Sequence, residues 1–422
     1  MRMMPCRALT LLFLVICVSP QTQAQTVRIF EWSKGRSPIA LLFIHGIGGC
    51  AVPPGQTAAS ACAANSEDSF KNPKASKSWP EMIASDDHHL AANQLEDILP
   101  SPLRIDDLGV WGVDYSRLTN ADCAPFSIPE TARLVRSRIE SSGLFDRYEQ
   151  IIIVAHSMGG LLTKNMLLEW QTAGDPDGML ARTIAVIFLG VPSQGSKQAP
   201  NPGVQSYLYK LMGADKVAGV CGRQAQDMFP GLLNTYLRDL ERRWEELLNT
   251  RRAASHSQAP LVHCAYETVP EPVLGGLTGA MIVDELYVQT QCSSAQIGLP
   301  TYHTMLPKPQ NLQDDVHSAF FTRRLDDLFR QWSQWSFTRY EFLPTDTFET
   351  FARVINRNQR SFVLSAEDVR SVKPEPGSFD GADSFVVMAK VARANPTICL
   401  DIDWPPNGPG RAAFHPAGQC RR

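Results

Sequence analysis

The stretch "IIIVAHSMGGLL" (residues 151–162) decides the reading of this 422-residue chain. Four branched apolar residues, Ile151 to Val154, predict a buried strand, and the leucines that resume at Leu161 predict a helix. Ser157 sits at the corner between them. A strand that ends at a serine and turns sharply into a helix carries the hydroxyl to the C-terminal edge of a sheet, outside the core, where open α/β sheets bind ligands. So tight a turn needs small residues two positions either side of the serine, here Ala155 and Gly159. Gly160 lets the helix pack closely. The helix start aims the Met158 N–H, and a positive dipole end, at negative charge developing beside Ser157.

Outward from this corner the same alternation repeats. The short apolar runs "IALLFIHG", "LGVWGVDY", "QIIIVAHS", "TIAVIFLGVP" and "APLVHCAYET" are separated by helical patterns over Pro129–Ser141, Gly159–Trp170 and Gly231–Asn249, with Asp315–Trp332 following. That rhythm predicts a mostly parallel sheet covered by helices on both faces, an α/β fold. A loop rich in Ala, Pro, Ser and Gly, Ala51–Ser78, interrupts it after the "IALLFIHG" strand. The pattern ends near Trp335, and residues 336–422 read as a small C-terminal α+β extension with a strand-like "SFVVMAKV".

Composition narrows the function classes. The net charge is −3, and no basic patch of the kind that tracks phosphates is present, which disfavours nucleic acid as a partner. Residues 1–24 read as a signal peptide: Arg2 and Arg7 precede an apolar run, and Thr22-Gln23-Ala24 offers small residues for cleavage. The run is shorter than the roughly 20 residues a membrane span needs. Eight cysteines follow it, an even set that in an exported chain favours disulfides. Cys50–Cys62 and Cys399–Cys420 are the nearest local clips, although sequence does not determine the pairing. Without a Cys-x-x-Cys pair, zinc is disfavoured.

The elbow at Ser157 resembles that of the α/β-hydrolase superfamily, and more narrowly its lipase-like branch, which reads Ala-His-Ser-Met-Gly-Gly. Ala155 departs from the superfamily's more general Gly, as it does in that branch. Three further segments are similar to the family's. "LLFIHGIGG" (residues 41–49) resembles the loop that supplies the second oxyanion donor, which implies the N–H of Ile47 beside that of Met158. "FLGVPSQGS" (residues 188–196) resembles a pocket-lining segment, with Val191 and Ser193 replacing Thr and His. His303, followed by Lys308-Pro309, resembles the family's catalytic histidine. His317 is the alternative, but it falls inside a helical pattern that suits a structural histidine better. For the acid, Glu267 stands at the expected turn after "APLVHCAYE", and Asp284 is the alternative because the usual Gly-Asp-Gly-x-Val signature is absent.

The resemblance implies an α/β-hydrolase fold over residues 25–335, with a lid or cap insertion near 200–255. It also implies a secreted or periplasmic serine esterase acting on acyl or lipid-like esters without a cofactor or metal. Transient membrane-surface contact would suit such a substrate. Two rivals stay open: an amidase, peptidase or acyltransferase with the same triad, and a non-catalytic interaction protein on a hydrolase scaffold. "SDDHHL" (residues 85–90) could suggest a metal, but adjacent residues on a helix point in different directions, so a solvated face is the plainer reading. "HGIGGC" has the wrong glycine spacing for a dinucleotide loop. His156 is read as structural. Leu233, Leu237, Leu240, Trp244 and Leu247 form a helical stripe that suits core packing, with a lid as the sharper alternative.

Overall fold

A computed structural model describes residues 27–90 (except 38, 64–65 and 87), 104–119, 126–195 (except 149 and 176–177), 223–228, 235–253, 260–272, 281–283 and 291–335, with five strands beyond. The expected signal peptide, Asp284, Cys123, Cys221 and Cys420 lie outside these residues.

Seven strands form the main sheet: β1 (Arg28–Ser33), β2 (Ile39–Ile44), β5 (Gly109–Asp114), β6 (Gln150–His156), β7 (Thr183–Leu189), β8 (Leu261–Glu267) and β9 (Ile297–Leu299). Two short strands, β3 (Gly49–Cys50) and β4 (Glu67–Asp68), pair in the loop after β2. The sheet order is β1-β5-β2-β6-β7-β8-β9. Only β1 runs antiparallel, pairing with β5, and every other neighbour is parallel. This is an α/β-hydrolase fold. The chain leaves β2 toward β5 on one side and returns to β6 on the other, so the carboxyl ends of β2 and β6 flank the switch point at which open α/β sheets bind ligands.

Each of the five apolar runs forms a strand of this sheet. β1 and β9 are additional edge strands. β1 is half-buried along its whole length and β9 has three residues, so neither presents the continuous buried run that marks the inner strands. Inner strands alternate between two cores. Ala40, Leu42 and Ile44 of β2 face one cluster with Ile151, Ile153 and Ala155 of β6, whereas Ile39, Leu41 and Phe43 face the other with Ile152 and Val154.

The first core is covered by α1 (Ile128–Glu140), α2 (Met158–Thr172) and α3 (Tyr236–Ala253). Ser127 starts α1 with a capping box: Glu130 Oε2 accepts the Ser127 N–H at 2.7 Å, and Pro129 fits the first turn. α3 buries Leu237, Leu240, Trp244 and Leu247. Its Glu241 pairs with Lys164, a fully buried lysine of α2 whose ammonium also donates to Ser193 Oγ at 2.7 Å. The four apolar residues of α3, from the segment expected near 200–255, are therefore packed into the core; residues 196–222, 229–234 (with Leu233 of the expected stripe) and 254–259 lie outside the described ones.

The second core holds Trp79, Phe43, Phe70 and Phe321 in edge-to-face contacts. It is closed by α4 (Arg323–Trp335), which continues a π-helical turn over Val316–Thr322. Here the alternative base His317 is committed elsewhere: its Nδ1 accepts the Trp79 indole N–H at 3.0 Å and its Nε2 lies 3.2 Å from Asp86.

The described residues of the C-terminal extension are strands: β10 (Tyr340–Phe342), β11 (Val369–Pro374), β12 (Asp383–Lys390), β13 (Thr397–Trp404) and β14 (Gly410–Pro416). They form an antiparallel sheet in the order β10-β14-β13-β12-β11. "SFVVMAKV" supplies most of β12.

Candidate active site

Ser157 joins β6 to α2 with φ 52° and ψ −128°, left-handed territory that a non-glycine residue rarely occupies. The Ser157 N–H donates to Leu189 O at 2.9 Å, tying the corner to the end of β7. The close packing anticipated after the serine is present. A Cβ at Gly159 would stand 2.4 Å from His45 O, and one at Gly160 would stand 2.2 Å from Val191 Cγ2. Ser157, whose hydroxyl was expected outside the core, is at the sheet edge but only 6% exposed as a residue. The loops after β2 and β9 come up against it: a Cβ on Gly46 would meet Ser157 Cβ at 3.0 Å.

Sheet order explains what gathers there. β6, β8 and β9 are parallel, so the chain following each emerges on one edge. Glu267 ends β8, and His303 begins a 3₁₀ turn, His303–Met305, four residues beyond β9. His303 Nε2 lies 3.0 Å from Ser157 Oγ, and His303 Nδ1 lies 3.3 Å from Glu267 Oε2. The Val283 N–H donates to the other oxygen, Glu267 Oε1, at 2.5 Å. Glu267 and His303 are buried. Burial alone would pull the His303 pKa down, but the Glu267 charge, its hydrogen bond and the charge of Glu271 hold it above the ordinary histidine value.

Gly190 makes room for the imidazole. Its φ is +54°, and a Cβ there would lie 3.0 Å from both His303 Cε1 and Nδ1. Val191 and Ser193, expected to line a pocket, are buried beneath the site instead, one against Gly160 and the other against Lys164.

Met158 begins α2, and its N–H is one of the first-turn donors that have no acceptor within a helix. Ile47 lies in the turn after β2, packed against the first core. That turn is braced from β5. His45 stacks on Tyr115 at 3.9 Å, the Tyr115 N–H donates to His45 Nε2 at 3.2 Å, and the Tyr115 hydroxyl donates to His45 O. Beneath them, burial raises the Asp114 carboxyl, but the Arg28 guanidinium and the Ser116 N–H, which hydrogen-bond it, hold it below the ordinary carboxylate value.

His156 contributes to the site after all: its Nε2–H donates to the backbone oxygen of His303 at 3.1 Å. Burial, with the neighbouring His303, keeps its pKa well below the ordinary value. The residues that sequence reasoning passed over are Glu271, Gly190 and Tyr115. Only the Val-Pro-Glu-Pro segment after Glu267 offered a signal, an acid held between prolines. Disulfides join Cys50 to Cys62 and Cys264 to Cys292. Among the described residues no cluster of His, Cys, Asp or Glu could hold a metal, and no helix is long and apolar enough to cross a membrane.

No protein-family model matches the chain. It is similar to protein SERAC1 of Mus musculus, 40% identical over 63 residues, and to that of Homo sapiens, 39% identical over 62 residues. Each match covers 15% of this chain, and the chain spans only 9% of the length of these curated relatives. Among solved structures, a lipase-esterase related protein from Clostridium acetobutylicum is similar over 72% of this chain and 99% of its own, with 13% identity and a TM-score of 0.37. A hyperthermophilic esterase from the archaeon Pyrobaculum calidifontis is similar over 73% and 84%, with 10% identity and a TM-score of 0.36. Bacillus licheniformis lipase BlEst2 is similar over 58% and 74%, with 11% identity and a TM-score of 0.33.

Proposed function

We propose that this chain is an exported serine hydrolase that cleaves carboxylic esters, with acyl esters of lipid-like compounds as its substrates. The observation that carries the reading is the line from Glu267 through His303 to Ser157, with contacts of 3.3 and 3.0 Å. A hydroxyl at its ordinary pKa is a weak nucleophile, and an imidazole at hydrogen-bond distance, oriented by a buried carboxylate, is what activates one.

In this reading His303 Nε2 takes the Ser157 hydroxyl proton as Oγ attacks the ester carbonyl carbon. The tetrahedral oxyanion is held by the N–H groups of Ile47 and Met158. His303 returns the proton to the departing alkoxide, leaving an acyl-Ser157 and a free alcohol. Water then repeats the sequence: His303 takes its proton, the hydroxide adds to the acyl carbon, and Ser157 leaves reprotonated with the acid released. Glu267 holds Nδ1–H and stabilises the imidazolium that forms in each half. The signal-like residues 1–24 and the disulfides support an oxidising, secreted or periplasmic location.

The test is labelling by a fluorophosphonate probe together with hydrolysis of short p-nitrophenyl esters. The wild type is expected to label and to hydrolyse, and Ser157→Ala to do neither while keeping its circular-dichroism spectrum. An alanine variant as active as the parent would remove Ser157 from the chemistry. A panel of ester, amide and acceptor-alcohol substrates separates the esterase from an amidase or acyltransferase.

A further inference from the structure

The peptide unit between His303 and Thr304 is held on both of its polar edges. Its carbonyl oxygen accepts the His156 Nε2–H at 3.1 Å, and its N–H donates to Glu271 Oε2 at 3.0 Å. The second oxygen of the same carboxylate, Oε1, accepts the Thr304 hydroxyl at 2.7 Å. Glu271 is only 4% exposed. It comes from the loop that follows β8, four residues after Glu267, so a single connection delivers both the carboxylate that meets the imidazole and the one that meets its backbone.

Fixing a peptide plane fixes the direction of the adjoining Cα–Cβ bond, because the backbone has only two soft torsions per residue. A flexible surface loop would otherwise let the ring swing, and misplacement of a catalytic group by about 1 Å can cost roughly a hundredfold in rate. We infer that Glu271 is a positioning residue: it clasps Thr304 so that His303 is presented to Ser157 in reactive geometry, with His156 as the opposing jaw. The inference rests on the Ser157–His303–Glu267 reading and extends it to a residue outside that set.

The charges facing His303 come from Glu267 at the end of β8, Glu271 in the following loop and His156 at the end of β6. Lys308, further along the histidine's own loop, acts on His156. His156 is neutral, so Glu271 is the second anion that favours the imidazolium. A clasp of this kind therefore has two separable signatures, one geometric and one electrostatic. Glu271→Gln retains a carbonyl acceptor for the Thr304 N–H but removes the charge. Glu271→Ala removes both.

The experiment compares the full-length wild type with Glu271→Gln and Glu271→Ala, recording kcat and KM for a p-nitrophenyl ester across pH, and the rate of fluorophosphonate labelling. Glu271→Ala is expected to lose roughly tenfold or more in kcat and in labelling rate, with KM within about twofold. Glu271→Gln is expected to keep most of kcat while the acidic limb of kcat/KM moves to lower pH. An alanine variant with wild-type kcat overturns the inference. If that variant fails to fold, the glutamine variant decides, and an unmoved acidic limb overturns it. A wild type that neither labels nor hydrolyses overturns the parent reading instead, so the two failures are distinguishable.

Discussion

His303 Nδ1 and Glu267 Oε2 stand 3.3 Å apart at the base of the candidate site, with the Val283 N–H on the carboxylate's other oxygen. An imidazole whose Nδ1–H is held this way keeps Nε2 free to accept the Ser157 proton. Glu267→Gln can turn its amide N–H₂ toward Nδ1 and select the wrong tautomer. Its kcat is expected to fall by roughly 10³–10⁴-fold, whereas Asp284→Asn should retain most of its activity. Steady-state kinetics on the two variants check this, and the reverse order would move the acid to Asp284.

The proton balance of His303 sets a pH dependence. The base must be neutral to act, and the carboxylates around it hold its pKa above the ordinary histidine value of about 6.5. Activity should therefore rise with pH, and the acidic limb of kcat/KM should have its midpoint above that value. In Glu267→Gln the midpoint should drop, because the largest source of the upward shift is gone. A limb centred well below 6.5 in the wild type would contradict the geometry.

Packing beneath the elbow makes a prediction about stability. A Cβ at Gly160 would lie 2.2 Å from Val191 Cγ2. Overpacking of this kind costs about 1–3 kcal/mol, so Gly160→Ala should unfold at a lower urea midpoint. The clash is with a side chain, so adding Val191→Ala should recover part of the loss. A double variant no better than the sum of the two single changes would mean that the helix, not the valine, gives way.

The Cys264–Cys292 disulfide spans the connection that carries Glu267, Glu271 and Val283, closing 28 residues. Loop-closure arguments assign such a crosslink about 3.5 kcal/mol. The Cys264→Ala/Cys292→Ala double variant should lose stability on that scale. It should also lose kcat at temperatures far below its unfolding transition, since the connection that starts at Glu267 and presents Glu271 and Val283 is less constrained. Thermal scans paired with assays at low temperature separate the two effects; unchanged kcat would detach the disulfide from the site.

What could be read along the chain was local. Branched apolar runs gave five strands of the sheet, and the small residues around Ser157 gave the corner. These features arise from steric and hydrophobic rules that act within a few residues. β1 and β9 escaped because an edge strand needs no continuous apolar run, and α3 was ambiguous because a buried stripe reads the same whether it faces a core or covers a pocket. In sequence His303 and His317 were told apart by the helical pattern around the second and by resemblance around the first, because no local rule shows which imidazole meets Ser157.

Tertiary structure decided the rest. It brought Ser157 and His303 together across 146 positions and set His317 against Trp79 and Asp86. Glu271 gained its place only when the loop after β8 met the turn after β9. Hydrogen bonds between residues far apart in sequence depend on strand order, and strand order comes from how the two cores close, which no single segment encodes.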